Sequence, residues 1–146
     1  MKNSLLYLTI FTLIFSCKKT EEISITPEPF YFTGVLIDGK IGVNYIDVSL
    51  KPAIKVSFIN PVDKNSTASN IILTELATSK EIPVDFTYEK SDSTIIIIPK
   101  TVLNPLTKYF VKVLPNLASK NQVKFDSNLQ IFLTTVSYTH LRAHET

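Results

Sequence analysis

The sequence predicts an all-β domain, a sandwich of two antiparallel sheets with about seven short strands. Three observations predict it. From Phe30 onward no segment keeps apolar residues at i, i+3, i+4 and i+7 over three helical turns. Short β-branched and aromatic runs recur instead, separated by Pro, Asn, Asp and Ser. Seven or eight such runs follow one another at spacings of about ten to fifteen residues. Without helices to cover a parallel sheet, two antiparallel sheets packed face to face are the economical arrangement.

The strands read in order as follows. Tyr31 to Ile37 is the first, ending at the turn pair Asp38-Gly39. Asp47 to Leu50 is a short second piece before Pro52. Ile54 to Phe58 alternates, with Ile54, Val56 and Phe58 on one face, and Asn60-Pro61 stops it. Ile71 to Glu75 and Val84 to Tyr88 come next, and Glu89 to Ser93 forms a hairpin loop. Thr94 to Ile98 is the most apolar run and Pro99 ends it. Its four consecutive isoleucines predict cover on both faces and a place away from a free edge. Tyr109 to Leu114 puts Tyr109, Val111 and Val113 in register, and Leu129 to Thr135 closes the set.

Composition narrows the function. The chain has 146 residues, a single-domain length. Charged residues make up 19% and hydrophobic ones 45%, which excludes a disordered or acidic tail protein. A net charge of +2 gives no electrostatic case for nucleic acid. One cysteine excludes a disulfide scaffold and a cysteine-based zinc site. The three glycines, Gly34, Gly39 and Gly42, all lie early, so no Gly-rich phosphate loop follows them. Both histidines fall in the last seven residues, so a Ser-His-Asp triad has no base within the predicted fold.

The N-terminus reads as an address. Lys2 precedes eleven residues, Leu5 to Phe15, that are apolar but for two threonines. This run is too short to cross about 30 Å of hydrocarbon as a helix and has the length and flanks of a secretory signal; the alternative is a short buried core element. Ile14-Phe15-Ser16-Cys17 resembles the lipobox of bacterial lipoproteins, with an aliphatic residue at −3, a small one at −1 and cysteine at +1. Phe15 at −2 is bulkier than the commonest pattern. The resemblance implies a signal peptide over 1–16 and acylation of Cys17, although a lone cysteine can also be a buried structural residue. At about 0.8 kcal/mol per buried CH₂, one acyl chain binds reversibly, whereas two or three anchor stably. Residues 17–29, polar and containing Pro27 and Pro29, read as an extended tether. Lys18-Lys19 followed by Glu21-Glu22 is loosely similar to surface-export signals of Bacteroidetes-type lipoproteins. A plain solvated linker accounts for it equally well.

Several groups could carry chemistry or structure. Leu103-Asn104-Pro105-Leu106-Thr107-Lys108-Tyr109 places a proline turn just before a strand that starts on tyrosine. This is the arrangement of a tyrosine corner, whose hydroxyl bonds back to the backbone at a sandwich corner; alternatively Tyr109 is simply an inward aromatic. Asp85, Glu89 and Asp92 cluster around one hairpin, where paired carboxylates could serve a glycosidase but solvated loop residues are commoner. Asp63, Asn65 and Ser66 offer oxygens to Ca²⁺, yet lack the glycine and distal glutamate of an EF-hand loop, so a capped turn is expected. Tyr31, Phe32 and Tyr45, if exposed, could stack on glycan. Asn65-Ser66-Thr67 has the form of a glycosylation sequon, discounted because the lipobox points to bacteria.

The last residues, 136–146, break the pattern. They hold both histidines and the only arginine. The segment resembles translated sequencing-adapter read-through, which predicts that the natural chain continues differently after Thr135. Its alternative is a metal half-site from His140 and His144 at i and i+4, a poor one without cysteine or a carboxylate beyond Glu145.

Taken together, the motifs resemble a known family. Ile54-Lys55-Val56-Ser57-Phe58 followed by Asn60-Pro61-Val62-Asp63 is similar to the I-x-V-x-F-x-x-P-V-D opening of bacterial Ig-like domains of the SbsA type. Ile71-Ile72-Leu73, the Thr94 to Pro99 strand, the Leu103, Pro105, Thr107 and Tyr109 turn, and Phe132, Thr134 and Thr135 follow in the family's order. The similarity spans about residues 31–135. The loop Asn116 to Asn121 departs from it by lacking the usual aspartate and glycine, with Asn121 able to take a left-handed turn.

The resemblance implies an Ig-like sandwich over residues 30–135 with no catalytic residues, metal or cofactor. It further implies a spacer or interaction module of a lipid-anchored bacterial lipoprotein, in the outer membrane on its periplasmic or surface face. Expected partners are the membrane, through Cys17, and a polysaccharide or an adjacent catalytic domain. The alternatives are the N-terminal module of a surface polysaccharide-degrading enzyme, glycoside hydrolase or glucoamylase-like, and a stand-alone glycan-binding or adhesin lipoprotein.

Overall fold

A computed structural model describes residues 28–42 and 44–137. The described residues form nine strands: β1 (Phe32–Ile37), β2 (Tyr45–Val48), β3 (Ile54–Phe58), β4 (Ile71–Glu75), β5 (Glu81–Ile82), β6 (Val84–Glu89), β7 (Thr94–Pro99), β8 (Lys108–Val113) and β9 (Leu129–Thr135). They form two sheets, a four-stranded one of order β1-β3-β7-β6 and a five-stranded one of order β2-β9-β8-β4-β5. This is the Ig-like β-sandwich expected. The inward residues of both sheets make one core, in which Ile54, Val56, Ile95, Ile97, Leu73, Val111 and Val113 are fully buried. Each such side chain contributes about 1.5–3 kcal/mol relative to exposure.

Several details differ from the sequence reading. First, all pairs are antiparallel except β2 with β9, which runs parallel and joins Tyr45 to Leu133 and Val48 to Thr135. Second, β2 begins at Tyr45 rather than Asp47, so Tyr45 turns inward. Third, a seven-residue helix, α1 (Lys64–Asn70), lies between β3 and β4. It lacks an apolar face and forms through local bonds: Asp63 caps it by accepting from the Asn65 N–H at 3.0 Å. Fourth, the left-handed residue of the loop before β9 is Gln122, at φ 63°, not Asn121. The Gln122 N–H returns to the Ser119 carbonyl at 2.8 Å and closes that turn.

The isoleucine strand β7 lies between β3 and β6, away from an edge. Only its inner face is sealed. Ile96 and Ile98 on the outer face are half-buried, because their cover is the side chains of neighbouring strands rather than a third layer.

The described residues begin and end at opposite poles of the sandwich. At the entry pole Phe30 stacks on Phe58, with ring centroids 5.0 Å apart, and meets Phe125 edge-on at 6.4 Å. The Asn60 amide donates to the Pro29 carbonyl at 3.0 Å. β1 then runs from Phe32, opposite Phe58, to Ile37, opposite Ile54. There Asp38 accepts from the Ser49 and Ala53 N–H groups at 3.0 and 3.1 Å. The exit lies at this same far pole: the Val136 N–H donates to the Val48 carbonyl at 2.8 Å, and the Leu106 N–H to the Val136 carbonyl at 3.3 Å.

Candidate functional site

The corner before β8 is gripped from both sides. Pro105 presets a bend, and Leu106 sits in the left-handed region at φ 50°. Tyr109, 1% exposed, reaches back so that its hydroxyl accepts from the Asn104 N–H at 3.0 Å. From β9, the Thr135 hydroxyl donates to the Asn104 carbonyl at 2.6 Å and accepts from the Thr107 N–H at 3.0 Å. Asn104 is thus held through its N–H by β8 and through its carbonyl by β9. A second tyrosine does similar work in the first connection, where the Tyr45 hydroxyl accepts from the Gly42 N–H at 3.1 Å and donates to the Val35 carbonyl at 3.0 Å.

The carboxylates around the β6–β7 hairpin do not converge. Asp85 and Glu89 share the outer face of one strand four residues apart, about 13 Å at the rise of a strand. Each faces a lysine instead: Lys100 to Asp85 at 3.2 Å, Lys55 to Glu89 at 2.8 Å and Lys64 to Asp92 at 2.8 Å. A retaining glycosidase needs its pair about 5–5.5 Å apart. Asp63 serves as the helix cap and accepts from the Gln122 amide at 3.3 Å, and the Ser66 hydroxyl donates to the Asp63 carbonyl at 2.8 Å. These oxygens are engaged by the protein itself. Among the described residues no group of three or more His, Cys, Asp or Glu side chains could hold a metal ion. Cys17, His140, His144 and nearly all of the tether lie outside the described residues.

The aromatic candidates need correction. Tyr45 is buried and Phe32 is half-buried against the core, because both fall on inward positions of their strands; Tyr31 is the exposed one. The aromatic face lies elsewhere. Alternation in β8 turns Lys108, Phe110 and Lys112 outward, opposite Thr134, Phe132 and Gln130 of β9. The Phe110 and Phe132 rings lie 5.9 Å apart, and Phe132 is 51% exposed. Beside Phe132 runs a groove of about 430 Å³ lined by Asn44, Ile46, Leu76, Lys108 and Thr134, among others. The signal was present in the sequence, because a strand with Tyr109, Val111 and Val113 inward must present Phe110 outward.

The family model of the bacterial Ig-like domain matches residues 41–139. None of the curated proteins matches the chain. Among solved structures, E. coli alpha-2-macroglobulin aligns with a TM-score of 0.55 at 10% identity, covering 75% of this chain and 6% of that one. The N-terminal part of the bacterial S-layer protein SbsC gives 0.52 at 17% identity, covering 73% and 23%. The Escherichia coli copper resistance protein PcoC gives 0.50 at 12% identity, covering 72% and 98%. At such identities these likenesses are of fold alone. The chain therefore spans a small fraction of the first two proteins and nearly all of the third.

Proposed function

The chain belongs to the bacterial Ig-like domain family, and from that premise we propose that it is a non-catalytic spacer and interaction module of a bacterial lipoprotein, anchored in the cell envelope through acyl chains on Cys17. The observation that carries the spacer reading is the placement of the ends. The chain enters beside Phe58 and leaves beside Val48, so the length of the sandwich separates them. The six residues of β1 alone add about 17 Å between entry and exit, at about 3.4 Å per step. Phe30 and Val136 are thus held apart, as a stalk requires. The same geometry would hold a following polysaccharide-degrading domain clear of the membrane.

The anchor is supported by the lipobox-like Ile14-Phe15-Ser16-Cys17 and by the polar residues after it. Its test is Cys17→Ala with membrane fractionation and metabolic labelling by palmitate. Loss of label and release from the membrane are expected. Unchanged membrane retention, or label that persists without the thiol, refutes the anchor.

A further inference from the structure

We propose that the outer face of the five-stranded sheet is a binding platform for an anionic polysaccharide, with Phe132 and Phe110 as the stacking surface and Lys108 and Lys112 as the charge-reading groups. The proposal goes beyond the spacer reading and does not depend on the anchor. It starts from the side chains that alternation places on this face. Lys55, Lys64 and Lys100 each pair with a carboxylate at 2.8–3.2 Å. Lys108 and Lys112, like six other described lysines, pair with none, but these two point to the same side of one strand. They flank Phe110 at i−2 and i+2, about 7 Å apart from one to the next. Phe132 lies directly opposite Phe110 in the ladder. The result is an apolar centre between two free cations, beside a groove of about 430 Å³, which lies within the usual range of a ligand site.

The chemistry of this face selects a sugar over a peptide. A β-sheet face offers no backbone partners, because its N–H and C=O groups are used in the ladder with both neighbours. An extended acidic peptide gains its main-chain bonds at a sheet edge, not across a face. A pyranose ring needs something else: an apolar surface for its C–H face and side-chain donors and acceptors at its rim. Phe132 offers the first, and the Thr134 hydroxyl and Asn44 amide bordering the groove offer the second. A carboxylate on the sugar then finds Lys108 or Lys112, the long flexible stems of which can adjust to reach it.

The test is calorimetric titration of the full chain with tetragalacturonic acid as the probe, β-1,4-galactotetraose as the neutral comparator and a tetraglutamate peptide as the acidic one. The platform predicts binding of tetragalacturonate that weakens as salt is raised. Phe132→Ala should weaken it at least tenfold and Phe132→Tyr should retain it. The double change Lys108→Ala and Lys112→Ala should remove the preference over galactotetraose and flatten the salt dependence, while Lys55→Ala on the opposite face leaves binding intact. Thermal unfolding of each variant establishes that it is folded, which is expected because Phe132 is half exposed. Absence of tetragalacturonate binding at millimolar concentration, equal or tighter binding of tetraglutamate, or indifference to the Phe132 and lysine changes each overturns the proposal.

Discussion

Replacing Tyr109 with phenylalanine removes one oxygen from a side chain that is 1% exposed and leaves the Asn104 N–H without its acceptor. The ring still fills the core, so no cavity term arises. A lost hydrogen bond alone is worth about 0.5–1.5 kcal/mol, and a stranded donor about 1–3. Asn104 is itself an exposed residue, so water can replace part of the bond, and the expected loss is about 1–2 kcal/mol. Thr135→Val should cost more, about 2–3 kcal/mol, because it removes both the donor to the Asn104 carbonyl and the acceptor for the Thr107 N–H. The two residues grip the same backbone residue, Asn104, so their effects should not add. Once one hand has let go, the corner relaxes and the second loss matters less, by about 0.5–1 kcal/mol. Urea unfolding of the wild type, both single variants and the double variant measures this cycle, with an unchanged m-value confirming a common mechanism. In thermal unfolding, Tyr109→Phe alone should lower Tm by about 4–10 °C. A loss below about 0.3 kcal/mol for Tyr109→Phe, or a cycle that closes within the same margin, would mean that the hydroxyl is not what holds the corner.

Two further substitutions probe local backbone chemistry. Leu106 is 70% exposed yet sits at φ 50°, where its Cβ crowds the carbonyl and no local side-chain hydrogen bond offsets the cost; Leu106→Asn, which can make such a bond, should raise stability by about 0.5–1 kcal/mol, read as a higher urea midpoint. Asp63→Ala removes the helix cap and the acceptor for Gln122, and should cost about 1 kcal/mol in thermal unfolding. Asp63→Asn, which keeps an acceptor oxygen at the cap, should recover most of that loss.

The strands that the sequence makes legible are those in which one face is buried and the other is not. β3 and β8 read cleanly because Ile54, Val56 and Phe58, or Tyr109, Val111 and Val113, repeat with period two. β5 was invisible because two residues cannot show a period; Glu81 and Ile82 become a strand only by meeting Thr74 and Leu73. The helix was hidden for a different reason. Its seven residues, Lys-Asn-Ser-Thr-Ala-Ser-Asn, have little intrinsic helix propensity and no apolar stripe. It exists because Asp63 caps it and because the Ala118 N–H donates to the Ser66 hydroxyl from 52 residues away. The parallel β2–β9 pair is likewise a property of the chain path, which no local pattern reports. The Phe110–Phe132 face was passed over because sequence logic assigns aromatics to the core by default, whereas strand alternation places these two outside it.

That parallel pair also bears on how a spacer would carry load. Tension between Phe30 and Val136 first reaches β1 and β9, which belong to different sheets. β1 would slide along β3, loading all the bonds of their ladder together rather than one after another. β9 lies between β2 and β8, so its withdrawal must break two ladders at once. Beyond the last β9 residue, Val136 remains bonded to Val48 and Leu106, and Thr135 is locked to the Asn104 corner. An exit strand at a free edge, ending without such a latch, would peel from one end with little resistance. Placing β9 inside the sheet and tying its end to the Tyr109 corner makes the exit pole the stiffer of the two. The entry pole depends instead on β1, an edge strand, and on the packing of Phe30 between Phe58 and Phe125. Mechanical failure should therefore begin at β1, and the hydroxyls of Tyr109 and Thr135 should govern the load at which the remainder follows.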